Sequence, residues 1–200
     1  MRLFVLARHG QSLLNIEGIV NGDPQRDPGL SELGVVEATS LGQQISAIKL
    51  DVAIVSPFPR TVQTAEIALD GCNVPCVLDD ELGDVRIGTL EGQSLADYRD
   101  SQPHNDRNLR FPEGESLNEA AQRYARAFAR LLSRNERVTF VVCHEIPVRY
   151  ALNAARGSAD LDRPLHTLAN ATPYLFDETA LERAIIRIRE LSRGRTRTSR

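Results

Sequence analysis

The sequence predicts an α/β protein, a three-layer α/β/α sandwich around a mostly parallel central sheet with a small lid insert. Three observations predict it. Short apolar runs of strand length recur along the chain, segments with helical spacing separate them, and several polar residues suited to chemistry directly follow those runs.

The apolar runs are Leu3–Ala7, Val52–Val55, Val74–Leu78, Thr139–Cys143 and Pro173–Phe176. Ser31–Ile48 carries Val35, Ala38, Leu41, Ile45 and Ile48 at the spacing of one helix face. Thr61–Leu69 is a shorter helical candidate. Residues 88–115 are polar and weakly periodic, and read as the lid. Ser116–Leu132 opens with Ser116 and Glu119, the spacing of a capping box, and then lines up Ala120, Tyr124, Ala127, Phe128 and Leu131. Glu145–Arg156 is a further helix, with Pro147 in its first turn and Gly157 as a stop. Ala184–Leu191 is ambiguous: Ile186 and Ile188 alternate with Arg187 and Arg189 as in a strand, yet a helix also fits.

The chain has 200 residues, 42% hydrophobic and 26% charged, enough for one sizeable core, so a single domain over residues 1–200 is expected. Leu3–Ala7, closed by Arg8 and His9, is too short for a signal peptide or for the ~20 apolar residues of a membrane helix. No membrane partner is expected. Three cysteines, Cys72, Cys76 and Cys143, are an odd, small set; with no export signal they read as unpaired thiols in a reducing cytoplasm. The net charge of -3 is uneven. Glu182–Arg200 holds seven arginines and two glutamates, so the remainder is acidic. No aromatic side chain interleaves those arginines for stacking on bases, so the tail over about 192–200 reads as a solvated, frayed terminus, with no nucleic-acid partner.

In open α/β sheets ligands bind beyond the carboxyl ends of the strands. Arg8-His9-Gly10 follows the first run, Ser56-Pro57-Phe58-Pro59-Arg60 the second and His144-Glu145 the fourth, while Asp84 lies a little beyond the third. Two histidines, two arginines and a carboxylate are thus directed to one rim. Converging arginines need an anion to offset their repulsion, and their forks match phosphate oxygens. A neutral histidine there can attack phosphorus, and a carboxylic acid can protonate the leaving alkoxide.

These residues resemble the histidine phosphatase superfamily, the phosphoglycerate mutase-like proteins. The resemblance rests on Arg8-His9-Gly10-Gln11-Ser12 with Asn15, Leu30-Ser31-Glu32-Leu33-Gly34, Ser56-Pro57 through Arg60-Thr61 with Gln63-Thr64-Ala65, Gly88-Thr89-Leu90-Glu91-Gly92, Pro112 through Gly114-Glu115-Ser116, and His144. It implies His9 as the nucleophile that becomes phosphohistidine. It implies Arg8 and Arg60 as the phosphate clamp, Asn15 as a further phosphate contact, and His144 as the second histidine on the transferring group. Asp84 stands at the proton donor's place, where many members carry Glu; Glu81 and Glu91 are the substitutes. Members usually have Gly after the second histidine, where this chain has Glu145, whose carboxylate would repel substrate if it turned inward.

The resemblance therefore implies a phosphomonoester hydrolase acting through phosphohistidine on a small phosphorylated metabolite, requiring no metal or cofactor. Mutase-type phosphoryl transfer is the alternative. The mutases carry Glu-Arg-His-Tyr-Gly where this chain has Asp84-Val85-Arg86-Ile87-Gly88, which favours the phosphatase branch. A weakened phosphate-ligand sensor is a further alternative. Cys143 to Arg149 also has the Cys-x5-Arg spacing of cysteine-dependent phosphatases, and His9, His144, Asp84 and Glu145 are conceivable metal ligands without a short ligand pair. Substrate contacts are expected from Phe58, from Ile19–Gly22 and from the lid around Tyr98–Arg110. The sequence leaves the oligomeric state open, with a homodimer among the options.

Overall fold

The computed structural model describes residues 2–163 and 168–193, so most of the basic tail lies outside the described residues. In chain order the elements are β1 (Leu3–Arg8), α1 (Leu13–Glu17), α2 (Glu32–Ile45), β2 (Val52–Val55), α3 (Pro59–Ala68), β3 (Cys76–Leu78), α4 (Leu95–Asp100), α5 (Gln102–Asn105), α6 (Leu117–Ser133), β4 (Val138–Cys143), α7 (Glu145–Ala155), β5 (Pro173–Asp177) and α8 (Glu178–Leu191). The strands form one sheet in the order β3-β2-β4-β1-β5, with β5 antiparallel and the other pairs parallel.

Strand alternation divides the core in two. Val5, Ala7, Ala53, Val55, Phe140 and Val142 belong to one apolar cluster with Leu41 and Ile45 of α2 and Ala65 of α3. Phe4, Leu6, Val52, Ile54, Val141 and Cys143 belong to the other, with Tyr124 and Phe128 of α6, Val148 of α7 and Leu181 of α8. Both sheet faces are therefore covered, which is why these parallel strands read as continuous apolar runs. Each fully buried side chain of this size contributes roughly 1.5–3 kcal/mol.

The capping box expected at Ser116 is present: the Glu119 N–H donates to Ser116 Oγ at 3.1 Å, and the Ser116 N–H donates to Glu119 Oε2 at 2.8 Å. Ala184–Leu191 resolves as helix, not strand. It belongs to α8, capped by Asp177, whose buried residues Leu181, Ala184, Ile185 and Ile188 follow a period near 3.6. Ile186, half of the apparent alternation, is exposed. The third strand starts at Cys76, two residues later than expected, and all three of its residues are exposed at the sheet edge. Within the segment expected as a lid the chain forms α4 and α5, and Tyr98 stacks on Phe111 with ring centroids 5.5 Å apart.

The connection after β1 is held close to α2. A Cβ on Gly10 would stand 2.5 Å from the Gly34 carbonyl oxygen, and one on Gly34 would stand 2.1 Å from the Gln11 carbonyl oxygen. The two glycines let the first turn of α2 press against the backbone that carries His9.

Candidate active site

His9 and His144 come together because β1 and β4 are neighbours that end level. Arg8 pairs with Cys143 in the ladder, and the His9 N–H continues it by donating to the Cys143 carbonyl at 3.0 Å. The two imidazoles meet edge to face, with centroids 5.4 Å apart. Both are buried, His9 at 3% exposure and His144 at 0%.

Their hydrogen bonds assign the tautomers. His9 Nδ1 stands 2.7 Å from the Gly10 carbonyl oxygen, so Nδ1 carries the proton and Nε2 keeps its lone pair. Arg60 Nε donates to that Nε2 at 3.1 Å. Arg60 Nη2 donates to His144 Nδ1 at 3.0 Å, which leaves His144 Nε2–H to donate to Ser56 Oγ at 2.8 Å. Burial, and secondly the Arg60 charge, push both histidines well below the usual imidazole range, so both are neutral.

Arg60 organises the site. It lies in the first turn of α3, behind Pro59 at the helix start. Besides both histidines, its guanidinium donates to Asn21 Oδ1 at 2.6 Å and to Asp84 Oδ2 at 3.1 Å. Asp27, with a fully buried side chain, accepts the Arg60 backbone N–H at 2.9 Å and lies 3.3 Å from Nη1. Phe58 lies beneath, its ring edge to face with His144 at 4.6 Å between centroids and 4.5 Å from the Arg60 guanidinium carbon.

Asp84 keeps a quarter of its side chain exposed and reaches His144 Nδ1 at 3.4 Å. Burial raises its pKa above the usual aspartate value, with Arg60 acting in the opposite sense. Arg8 is mostly buried, donates to the Leu168 carbonyl at 3.3 Å and pairs with Glu145 Oε2 at 3.0 Å. The other Glu145 oxygen pairs with Arg149. Asn15 lines the cavity as well, with Oδ1 capping α1 through the Ser12 N–H at 3.1 Å.

These groups open on a cavity of about 350 Å³ that is also lined by Ile19, Val20, Asn21, Ile87, Tyr98 and Arg149. Of the expected site residues, Arg8, His9, Asn15, Arg60, Asp84 and Glu145 line it. His144 lies just behind, against His9 and Asp84. Phe58 is a correction: at 2% exposure it sits under His144 and Arg60, not at the mouth. Glu81 is engaged on the surface by Arg126 and Arg130, and Glu91 accepts the Gly22 N–H at 2.9 Å. Neither lines the cavity, so of the three carboxylates expected as proton donor only Asp84 does. Of the lid arginines, Arg99 lines the cavity, Arg107 pairs with Asp162, and Arg110 pairs with Glu119 at 3.2 Å.

The cysteine-dependent alternative does not fit this geometry. Cys143 is fully buried inside β4, and burial pushes its thiol up to about 12, far from a thiolate at neutral pH. Among the described residues, no group of three or more His, Cys, Asp or Glu is arranged to hold a metal ion. No helix among them is long and apolar enough to cross a membrane.

Nothing in the sequence pointed to Asp27; Asn21 stood out only within the Ile19–Gly22 stretch, and Arg149 only in the Cys-x5-Arg spacing. Asn21 and Asp27 lie in irregular backbone around a short 3-10 turn at Pro24–Arg26, where no periodicity marks them. Ser56 was visible as part of the Ser-Pro pair, but its role on His144 required the adjacency of β2 and β4.

The sequence matches the family described as "Histidine phosphatase superfamily (branch 1)" over residues 4–189. It is 33% identical over 189 residues to human 6-phosphofructo-2-kinase/fructose-2,6-bisphosphatase 4, covering 88% of this chain and 38% of that protein. It is 35% identical over 138 residues to the Erwinia tasmaniensis protein named "Probable phosphoglycerate mutase GpmB", covering 66% of this chain and 63% of that one. The chain thus spans less than two thirds of either relative. Among solved structures, Bacillus stearothermophilus YhfR superposes with a TM-score of 0.77 at 26% identity, covering 88% of this chain and 91% of that one. The α-ribazole phosphatase of Shigella flexneri gives 0.76 at 22% identity, covering 88% and 90%, a likeness of fold.

Proposed function

The chain belongs to the histidine phosphatase superfamily, and from that premise we propose that it hydrolyses a small phosphomonoester through a phosphohistidine at His9. One observation carries the reading: a single guanidinium, that of Arg60, reaches His9 Nε2, His144 Nδ1 and Asp84 Oδ2 together, at 3.1, 3.0 and 3.1 Å. A nucleophile, a second histidine and a proton donor therefore surround one cation suited to a phosphate.

The substrate phosphate takes Arg60 and Arg8 as partners, releasing His9 Nε2 from its hydrogen bond. The Nε2 lone pair attacks phosphorus, a P–N bond forms, and the ester P–O bond breaks. Asp84 in its acid form gives its proton to the departing alkoxide. A water then attacks the phosphohistidine and gives its proton to the Asp84 carboxylate; the P–N bond breaks, and inorganic phosphate leaves. Charge on the equatorial oxygens is met throughout by Arg8 and Arg60, and His144 joins them only when its Nδ1 takes up a proton. A phosphate dianion on Arg60 also weakens that cation's hold on Asp84, favouring the acid form when it is needed.

Hydrolysis is preferred to transfer because Ile87, buried at 3% exposure, lines the cavity where the mutase pattern has tyrosine, and Arg86 is exposed. The cavity admits a small substrate.

Brief incubation with a 32P-labelled phosphomonoester, quenched in denaturant, tests the proposal. A label that is stable in base and labile in acid is expected on wild type, with inorganic phosphate as product. His9→Ala should lose both label and turnover. Unimpaired hydrolysis by that variant would end the reading.

A further inference from the structure

Beneath Asp84 lies a buried ion pair that touches neither the cavity nor the histidines. Arg123 of α6 and Glu115, just before that helix, have side chains 4% and 8% exposed. Arg123 Nε donates to Glu115 Oε2 at 3.2 Å, and Nη2 donates to Oε1. Apart from a long bond from Nη2 to the Tyr124 hydroxyl at 3.5 Å, its remaining hydrogen bonds are directed to one turn. Nη1 donates to the carbonyls of Glu81 and Gly83, each at 2.8 Å, and Nη2 donates to the carbonyl of Asp84 itself at 3.0 Å. Glu115 holds the other side: Oε1 accepts the Arg86 N–H at 3.1 Å, and its own backbone N–H donates to the Arg86 carbonyl at 2.9 Å. The pair thus grips the backbone before, at and after Asp84.

We infer that Arg123 and Glu115 are positioning residues for the proton donor, fixing the Asp84 turn so that the carboxyl faces the leaving oxygen. A buried ion pair contributes little net stability, because desolvation offsets the attraction, and an apolar pair could fill the space. An apolar pair could not satisfy three carbonyls and an N–H that surround one functional residue. Asp84 depends on such a clamp. It stands in irregular chain between a 3-10 turn at Asp80–Leu82 and another at Gly88–Leu90, with no helix or strand to set its direction. A displacement near 1 Å at a reacting group is enough to cost about 100-fold in rate.

The inference rests on Asp84 being the proton donor, and the test separates the two. For wild type, Asp84→Asn, Arg123→Lys and Glu115→Gln, kcat/KM is measured on p-nitrophenyl phosphate and on an alkyl phosphate. Nitrophenolate leaves without protonation, whereas an alkoxide needs the acid. Arg123→Lys keeps the charge but cannot fork across three carbonyls. It should lose about tenfold or more on the alkyl ester and about threefold or less on the aryl ester, as Asp84→Asn should, only more strongly. Glu115→Gln should move in the same direction, and adding it to Asp84→Asn should cost nothing further on the alkyl ester. Equal losses on both esters, or an unchanged alkyl rate in a folded variant, would overturn the inference. Failure of both variants to fold would assign the pair to the scaffold and overturn it too. If Asp84→Asn itself lacks the leaving-group signature, the proton-donor assignment falls and takes the inference with it, while phosphate labelling of His9 stands or falls separately.

Discussion

Glu145 Oε2 stands 3.0 Å from Nη1 of Arg8, while the other oxygen of the same carboxylate pairs with Arg149 one helical turn on. The residue that follows the second histidine therefore occupies one arm of the expected phosphate clamp, and an incoming phosphate must compete with it. Glu145→Gln removes the competing charge while keeping the shape. For a pair only partly shielded from water the gain is about 1 kcal/mol, so inorganic phosphate should inhibit about fivefold more tightly. Product-inhibition constants for the two proteins measure this; equal values would mean that Arg8 is not restrained by Glu145.

Arg60 meets five groups from separate stretches of chain: His9, Asn21, Asp27, Asp84 and His144. Lysine retains the charge but cannot bridge them. Arg60→Lys should lower kcat/KM by roughly 10²–10³, the loss typical of one donor to a charged transition state. Circular dichroism on the same sample establishes that the fold is retained. A loss below about threefold would remove Arg60 from the centre of the mechanism.

The directions of the pKa shifts fix the pH profile. His9 is pushed down by burial, so the nucleophile stays neutral well below the usual imidazole range. Asp84 is pushed up by burial, so its acid form persists to higher pH than for a free aspartate. Activity should be highest on the acid side of neutrality and fall with one proton's dependence as Asp84 ionises. A rate maximum well into the alkaline range would contradict the assignment.

Stability moves the other way in mild acid. His9 and His144 have folded pKa values below the unfolded value of 6.5. The unfolded chain therefore binds protons first as pH falls through 6.5, and stability declines from there towards the folded pKa values. Asp84, raised on folding, opposes this as pH falls through its folded pKa, where the folded chain takes up the proton before the unfolded one. His9→Asn should flatten the decline by up to about 1.4 kcal/mol per pH unit. Denaturant melts between pH 7.5 and 5 would show it as a smaller drop in midpoint; parallel curves for the two proteins would refute it.

Phe58 packs under His144 and Arg60 without lining the cavity. Phe58→Ala should cost about 3–5 kcal/mol of stability and lower kcat through a looser His144, with little change in KM. A rise in KM alone would return Phe58 to the substrate surface.

Much of this protein follows from local sequence. Strands β1, β2 and β4 are continuous apolar runs because both sheet faces are covered there, and α6 announces itself through Ser116 and Glu119 because a capping box is made within four residues. The residues after β1, β2 and β4 could be named as the site because parallel strands deliver their carboxyl ends to one edge. Tertiary structure decided the rest. Asp27 and Asn21 became partners of Arg60, Phe58 became a floor under His144, and Arg123 reached the turn of Asp84 from a helix 39 residues further along. The α8 segment shows the same limit from the other side: Ile186 and Ile188 differ in burial only because one side of the helix packs on α6 and α7. The physical reason is common to all of these. Periodicity and capping are set by neighbours a few residues away and can be read along the chain. Which buried polar group meets which depends on contacts between distant segments that exist only once the sheet has assembled.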